Sequence, residues 1–205
     1  MVEIIFATGN EGKMREIRAI LADVEAKILS MKEAGLCLDI EEDGESFAEN
    51  ALIKARAVAD ALAAADRFHD CIVLADDSGL EIDCLHGEPG IHSARYLGEE
   101  TSFDVKSRDL LRRMEQVPDE ERSARFVCAI AAVFADGETV TTRGTIEGRI
   151  GYDLKGDNGF GYDPIFYLPE YERTAAELTD DEKNQISHRS RALACMKDEL
   201  KKRGY

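Results

Sequence analysis

The chain has 205 residues, and its 26 Lys and Arg stand against 42 Asp and Glu, which gives a formal net charge of −16. That length is typical of one domain and suffices to bury a full core. The negative charge repels nucleic-acid backbones and anionic membranes, so it argues against partners of either kind. Any phosphate ligand must therefore meet a local group of cations and backbone amides, with a metal ion offsetting the surrounding negative field.

The five cysteines are odd in number and include no Cys-x-x-Cys pair, and the four histidines are scattered. This pattern argues against a disulfide framework and against structural zinc. The chain does not start with a basic segment followed by a long apolar run, and no apolar stretch reaches membrane-spanning length. The sequence therefore predicts a protein of the reducing cytoplasm that has no membrane partner.

Residues 2–7 predict a buried first strand, and the turn Thr8-Gly-Asn-Glu-Gly-Lys13 leads from it into a helix. A strand, a glycine-containing turn and a helix N-terminus form a geometry that binds phosphate, and Lys13 adds a positive charge. The turn is not a Walker A loop, because Ala7 stands in place of its first glycine and Met14 in place of its Ser or Thr. For this stretch alone, an ordinary first turn with a solvated Lys13 is the alternative.

Residues 24–31 predict a second strand, followed by the acidic loop, residues 39–45. Ser46 and Glu49 match a capping box, which predicts a helix that reaches about Ala65. Lys54 lies off the apolar stripe of this helix. Runs of charge are usually solvated loops, so Glu42 and Asp43 are expected to face solvent.

A buried strand over residues 71–75 is predicted to end at two adjacent carboxylates, Asp76 and Asp77. In an open α/β sheet, ligands lie beyond the carboxyl ends of the strands, so the acid pair is well placed for chemistry. For an isolated Asp-Asp pair, the alternative is a solvated turn in which one Asp caps the following backbone.

Thr101 or Ser102 is predicted to begin a helix that runs to about Met114, with Val105 and Leu111 facing inward. Residues 124–134 and 138–150 then predict a hairpin around a tight Asp136-Gly137 turn. The glycine-rich segment 151–161 lies just before Pro164, which opposes a helix, so the segment does not fit a dinucleotide fingerprint. Its glycines are expected to expose the ring of Phe160.

Thr179 is predicted to cap a short helix over residues 180–186, and Ser187 to begin the last helix. His188 and Arg189 then fall in a first turn, where cations oppose the helix dipole, which weakly indicates that they contact a ligand. A nucleotide with a bound metal would suit the features predicted so far. These are the acid pair, the turn with phosphate-binding geometry, the exposed aromatic ring and the cations in the first turn of the last helix.

Eight short motifs occur in order along nearly every segment of the chain. They are Thr8-Gly-Asn-x-x-Lys13, Glu41-x-x-Gly44, Glu49-Asn-Ala-x-x-Lys54-Ala, Ala75-Asp-Asp-Ser-Gly-Leu80, Gly87-x-Pro-Gly-x-x-Ser-Ala-Arg-Tyr96, Gly159-Phe-Gly-Tyr-Asp-Pro-Ile-Phe166, Ala175-Ala-Glu-Leu178 and Ser187-His-Arg189. By these motifs the whole chain resembles the inosine triphosphate pyrophosphatase family, without a departure at a motif position.

The resemblance implies an α/β fold, an elongated mixed β-sheet flanked by helices with two lobes about a central cleft, in one ITPase-like domain over residues 1–205. It also implies a homodimeric, Mg²⁺-dependent pyrophosphohydrolase. Such an enzyme would hydrolyse non-standard purine nucleoside triphosphates (ITP, dITP and XTP) to the monophosphate and pyrophosphate, before they enter DNA or RNA.

The resemblance also assigns the site residues. Glu41 and Asp77 would hold the metal, and Asp77 would be the catalytic base. The phosphates would be bound by Thr8, Gly9, Asn10, Glu11, Gly12, Lys13, Lys54, Ser78 and Arg95. The purine would be bound by Phe160, Gly161, Tyr162, Asp163, Lys183, His188 and Arg189, with Arg189 or His188 as a donor to the 6-oxo group.

Three alternatives remain at this stage. A pyrophosphatase of related fold could act on pyrimidine or modified triphosphates, although the purine-side motifs argue against it. A nucleotide sensor would bind without turnover, but we would expect it to lack Glu41 and Asp77. An RNA-binding module also uses phosphate turns and aromatic rings, but the charge of −16 disfavours it.

Overall fold

A computed structural model describes residues 2–69 and 71–205. Its strands are β1 (Val2–Phe6), β2 (Ala26–Ser30), β3 (Cys71–Ile82), β4 (Ser123–Val133), β5 (Thr139–Ile150), β6 (Phe166–Leu168) and β7 (Arg173–Thr174). Its α-helices are α1 (Glu11–Ile20), α2 (Phe47–Ala64), α3 (Phe103–Arg113), α4 (Asp180–Ile186) and α5 (His188–Lys202). Short 3₁₀ turns connect several of them.

The strands form one seven-stranded sheet in the order β2-β1-β3-β4-β5-β6-β7. β1 pairs in parallel with both β2 and β3, and helices α1 and α2 provide the crossover connections that parallel strands require. β6 pairs antiparallel with both β5 and β7. The sheet is therefore mixed and flanked by helices, which confirms the predicted α/β class.

The chain divides into two compact units. The first unit comprises Met1–Asp77, Cys128–Gly144 and Arg189–Tyr205, and the second comprises Ser78–Val127 and Thr145–His188. In the first unit, apolar residues of β1, β3, β4, α1 and α5 form one buried core, which includes Phe6, Ile17, Leu74, Ile130 and Leu193. This core holds fixed the strand and helix ends that carry the polar residues described below.

The second unit has its own core, in which Leu80, Leu110, Phe126, Ile150 and Phe166 are buried together. Arg122 is also buried there, and its guanidinium donates to the carbonyl oxygens of Met114 (2.8 Å), Ile150 (2.9 Å) and Gly151 (2.6 Å). These bonds tie the C-terminal end of α3 to the end of β5.

Local signals placed most helix ends correctly. The Ser46 hydroxyl caps α2 by accepting from the Glu49 amide at 3.2 Å, although the Glu49 carboxylate accepts from Glu45 N instead of completing the box on Ser46. Thr179 and Glu182 form a complete capping box on α4. The predicted hairpin is confirmed by the neighbouring strands β4 and β5 around Gly137, whose φ is +86°.

Two expectations about burial and strand length were wrong. Val105 is half exposed, and the buried face of α3 is formed by Lys106, Ser107 and Leu110. The strand predicted to stop at Asp76 instead continues to Ile82. A strand interior with two carboxylates looks like a turn in sequence, because nothing local reveals the cations that compensate for their burial.

Candidate active site

The turn that the sequence predicts to bind phosphate, residues 8–13, is called the phosphate turn below. It leads from β1 into α1, as predicted. Asn10 is the N-cap: its side-chain oxygen accepts from the Lys13 amide at 3.0 Å, while the Thr8 hydroxyl accepts from the Asn10 amide at 3.2 Å. Gly9, Asn10 and Glu11 are exposed, whereas Gly12 is half-buried. The first amides of α1, at the positive end of its dipole, therefore lie beside an exposed turn that an anion can reach.

Asp76 is fully buried and binds two cations. Its carboxylate lies 3.0 Å from Lys13 Nζ and 3.2 Å from an Arg189 nitrogen, and the Arg189 guanidinium also contacts Glu16. Burial alone would raise the pKa of Asp76, but Lys13 and Arg189 hold that pKa well below its usual range. Asp76 is therefore a permanently ionised carboxylate that fixes Lys13 at the phosphate turn.

Asp77 contacts a different set of residues. Lys54 Nζ lies 3.1 Å from one oxygen of its carboxylate, and the Asn50 amide lies 3.4 Å from the other. Burial raises the pKa of Asp77 to about 6, against the opposing attraction of Lys54 and Lys13. A carboxylate with a pKa near 6 is ionised at neutral pH yet basic enough to accept a proton from water.

Strand geometry explains why the two carboxylates differ. Successive side chains of a strand point to opposite faces, so Asp76 and Asp77 are directed to opposite sides of β3. β1 pairs with β3 only as far as Phe6 opposite Leu74. The acid pair therefore lies beyond the end of the neighbouring strand, although it lies inside β3.

The acidic loop contributes a carboxylate that the sequence did not single out. Glu42 Oε2 lies 2.6 Å from Lys54 Nζ, so Lys54 contacts both Glu42 and Asp77. The expectation that Glu42 is solvated was wrong, because Glu42 is half-buried and pairs with the Lys54 ammonium, which burial removes from water. Glu41, the metal ligand implied by the resemblance, is exposed, and its role stays a prediction.

The carboxylates of this unit fit a divalent cation that arrives with phosphates. Glu42 and Asp77 both contact the Lys54 ammonium, so the acidic loop that carries Glu41 lies beside Asp77. Within residues 2–69 and 71–205, no three His, Cys, Asp or Glu side chains are grouped so that they could hold a metal alone. Mg²⁺ commonly takes one or two protein carboxylates and completes its shell with water and substrate phosphate oxygens, which suits this donor set.

In the second unit, the predicted purine-binding residues meet around Asp163. Its carboxylate accepts from Lys183 Nζ at 2.7 Å and from the Phe160 amide at 2.8 Å. Lys183 Nζ also lies 4.8 Å from the centroid of the half-buried Phe160 ring. Gly159 makes this possible, because its φ is +75° and an added Cβ would lie 2.2 Å from Asp163 Oδ2.

His188 and Tyr162 are held by packing within the same unit. The His188 ring stacks on Phe126 with centroids 5.0 Å apart, and a small pocket there is lined by Asp163, Lys183, Ser187 and His188 and by apolar side chains. Tyr162 is buried and donates its hydroxyl to the Ser93 carbonyl at 2.9 Å. Gly161, with φ of +71°, precedes it in the same turn.

Three remaining predicted residues are less tightly defined. Ser78 is half-buried in β3, and Arg95 is half-buried with its Nε donating to His92 Nδ1 at 3.0 Å. Arg189 is predicted to bind the purine, but the contacts described for it are with Asp76 and Glu16 in the first unit. Its assignment to the base therefore stays a prediction.

Comparison with known proteins identifies the family. The model of the Ham1 family matches residues 4–199. The chain belongs to the Ham1 family. A dITP/XTP pyrophosphatase of Clostridium perfringens is 48% identical over 98% of both chains, and one of Bacillus licheniformis is 46% identical over 94% of this chain and 95% of its own. The resemblance stated from the motifs is thereby confirmed.

Solved structures agree with that membership. The Ham1 protein of Coxiella burnetii superposes with a TM-score of 0.86 at 41% identity, over 98% of this chain and 100% of that one. The Staphylococcus aureus Ham1 protein gives a TM-score of 0.84 at 40% identity, over 98% and 99%. At these identities, the α/β architecture described above is that of the Ham1 family.

Three residues of this Ham1 chain that touch the acid pair or its cations were missed from sequence: Glu16, Glu42 and Asn50. Glu16 lies one turn after Lys13, and Asn50 lies one turn before Lys54, so helical spacing could have associated each with its lysine. Glu42 offered no such signal, because it lies in a loop whose path is set by tertiary contacts.

Proposed function

We propose that this protein is a nucleoside triphosphate pyrophosphohydrolase that converts dITP, ITP and XTP to the monophosphate and pyrophosphate, and so removes them before incorporation into DNA or RNA. The observation that carries the proposal is the acid pair beside the phosphate turn, where each carboxylate contacts a lysine: Asp76 with Lys13, and Asp77 with Lys54. The relatives named dITP/XTP pyrophosphatase, similar over nearly their whole length, supply the substrate class.

The phosphate turn and the lysines bind the triphosphate. The amides of Gly9, Glu11 and Gly12 and the ammonium of Lys13 contact phosphate oxygens. Lys54 exchanges part of its contact with Glu42 for a contact with a phosphate oxygen. Asp76 keeps Lys13 in place without titrating. The cations thus compensate for charge as it builds on the departing pyrophosphate.

Asp77 acts as the base. A water molecule attacks the α-phosphorus, its proton passes to the Asp77 carboxylate, and the bond from the α-phosphorus to the bridging oxygen breaks to release pyrophosphate. The pKa of about 6 matches this task, since Asp77 is largely ionised above pH 7. Glu41 and Asp77 would hold Mg²⁺, which would neutralise phosphate charge.

The second unit selects the base. The 6-oxo group of hypoxanthine or xanthine accepts hydrogen bonds from donors such as Lys183 and His188, whereas the 6-amino group of adenine places a donor against donors. A mismatch of this kind in a buried polar site discriminates by on the order of 10⁴-fold. Phe160 supplies a ring face on which the purine can stack.

The proposal also includes the metal, the oligomeric state and the cellular location. Mg²⁺ is the activating ion, the enzyme is a homodimer, and it works in the cytoplasm. The net charge of −16 disfavours nucleic acid as a partner. No helix within residues 2–69 and 71–205 is long and apolar enough to cross a membrane.

The test is hydrolysis of dITP, XTP, dATP and dGTP with Mg²⁺, with pyrophosphate and orthophosphate measured separately. We expect pyrophosphate from dITP and XTP, and turnover of dATP at least about 100-fold slower. Orthophosphate as the first product, or equal turnover of all four nucleotides, would contradict the proposal. Tight binding of dITP without turnover would favour the sensor.

A further inference from the structure

Asn50 lies fully buried on α2 and joins the acidic loop to Asp77. Its side-chain oxygen accepts from the Gly44 amide at 2.9 Å, and its side-chain nitrogen lies 3.4 Å from Asp77 Oδ2. Asn has a low helix propensity, and burying its side-chain amide costs further free energy unless both the oxygen and the nitrogen are hydrogen-bonded. The Gly44 amide and Asp77 provide these two hydrogen bonds.

The orientation of the Asn50 amide is fixed by its neighbours. A backbone N–H on one side needs an acceptor, and a carboxylate on the other needs a donor. Reversing the amide would set the NH₂ group against the Gly44 N–H and the oxygen against Asp77. Asn50 therefore accepts a hydrogen bond from the loop and donates one to β3. Only an amide side chain of this length can make both hydrogen bonds.

Helical spacing makes Asn50 part of a clamp on Asp77. Asn50 and Lys54 are four residues apart on α2, and so lie on one face of the helix. Lys54 contacts Asp77 Oδ1 and Asn50 contacts Asp77 Oδ2. Two partners on two oxygens restrict rotation of the carboxylate about its last bond, so the plane of Asp77 is set by α2.

Gly44 is the counterpart of Asn50 in the loop. A Cβ added at Gly44 would lie 2.7 Å from Asn50 Oδ1 and 2.8 Å from Glu49 Cβ. Only glycine lets the loop backbone approach the start of α2 this closely. The loop that carries Glu41 and Glu42 is thus held at a fixed distance from α2, and through Asn50 from Asp77.

We propose that Asn50 is a positioning residue for the metal-dependent step: it orients the Asp77 carboxylate and holds the acidic loop beside it. The inference rests on the proposed pyrophosphohydrolase function. Residues that orient metal-binding carboxylates typically change metal affinity or activity by about 10–100-fold when they are replaced. Asn50 acts only through Asp77 and the loop, so its loss affects the metal requirement and leaves metal-free nucleotide binding unchanged.

The experiment uses Asn50→Leu, which keeps the shape and removes both contacts. Two quantities are measured: the Mg²⁺ concentration that gives half-maximal dITP hydrolysis, and the calorimetric affinity for a non-hydrolysable α,β-methylene analogue of dITP with Mg²⁺ or with EDTA. We expect the half-saturating Mg²⁺ concentration to rise at least tenfold and analogue affinity with Mg²⁺ to fall similarly. Affinity in EDTA should stay within twofold of wild type.

Val58→Ala is the matched control, because Val58 is buried on the same helix, and its hydrocarbon side chain can make no hydrogen bond to Asp77 or to the loop. It should lower the melting temperature without changing the Mg²⁺ requirement. Should Asn50→Leu behave like Val58→Ala in every measurement, Asn50 is merely structural and the proposal is overturned. Inactivity of the wild type on dITP would instead overturn the proposed function.

Two further variants separate the contact of Asn50 with the Gly44 amide from its contact with Asp77. They also replace Asn50→Leu if that variant does not fold. Asn50→Asp keeps an acceptor for the Gly44 amide but sets a carboxylate against Asp77, whereas Gly44→Ala displaces the loop and keeps the amide. Each should raise the half-saturating Mg²⁺ concentration at least fivefold. Wild-type values in both folded variants would overturn the proposal.

Discussion

Asp76 and Asp77 are consecutive residues of β3, yet their carboxylates contact different groups of cations. Asp76 contacts Lys13 and Arg189, whereas Asp77 contacts Lys54. The pKa of Asp76 is held below its usual range, and burial raises that of Asp77 to about 6. Neighbouring carboxylates whose pKa values are pushed apart in this way are suited to separate roles, one electrostatic and one in proton transfer.

The first prediction separates these roles by matched substitutions. Asp76→Asn removes the carboxylate from two buried cations, and breaking a buried ion pair costs about 3–5 kcal/mol. Asp77→Asn should not destabilise the fold and should lower kcat for dITP at least about 100-fold, the scale of general base catalysis. Denaturant unfolding and steady-state kinetics on both variants check this. An active Asp77→Asn enzyme, or an Asp76→Asn variant as stable as wild type, would contradict it.

The second prediction concerns stability and pH in metal-free buffer. The pKa of Asp77 is about 6 in the folded chain against an ordinary 3.8, so between these pH values the folded state binds more protons than the unfolded state. The contribution of Asp77 to the free energy of unfolding must therefore fall as pH rises through this window, by on the order of 3 kcal/mol. Relative to wild type, Asp77→Asn should gain stability between pH 4 and pH 7.5. If the stabilities of the two proteins depend on pH in the same way, burial does not raise the pKa of Asp77.

The elements were predictable from sequence where local chemistry decides them. Ser46 and Thr179 each cap a helix with a bond three residues away, and Asp136-Gly137 forms a turn that needs glycine at positive φ. Val105 was misplaced because a short amphipathic helix offers two plausible inward faces. Lys106 is the buried one, with its ammonium 4.8 Å from the Phe103 ring and donating to a backbone carbonyl.

The site was predictable only as far as its motifs. Lys13, Lys54, Asp163 and Lys183 each take part in an ion pair, but pairing them required the structure, and their roles in binding phosphate and base stay predictions. Ion pairs such as Asp76 with Arg189 join residues more than a hundred positions apart, and no periodicity encodes them. Sequence spacing identifies which residues are unusual, whereas tertiary contacts decide which of them meet.

The third prediction decides between the two neighbouring carboxylates of the acidic loop. Glu41 is exposed and open to a metal, whereas Glu42 is engaged by Lys54. We expect Glu41→Gln to raise the half-saturating Mg²⁺ concentration about tenfold. Glu42→Gln should leave that concentration within twofold and raise KM instead, because Lys54 is then anchored by Asp77 alone. A metal requirement raised only by Glu42→Gln would transfer the ligand role to Glu42.

The fourth prediction tests base recognition through Gly159. In Gly159→Ala the new methyl would lie 2.2 Å from Asp163 Oδ2 and 3.2 Å from Lys183 Nζ, so the arrangement around Asp163 must shift. We expect KM for dITP to rise at least about tenfold with kcat little changed, because a poorly placed Lys183 weakens binding of the base in ground and transition states alike. Gly137→Ala is the control: its φ is also positive, at +86°, but its Cβ would meet nothing within 4 Å. It should cost about 1–2 kcal/mol of stability and leave KM unchanged, so equal KM values in the two variants would show that Asp163 and Lys183 do not bind the purine.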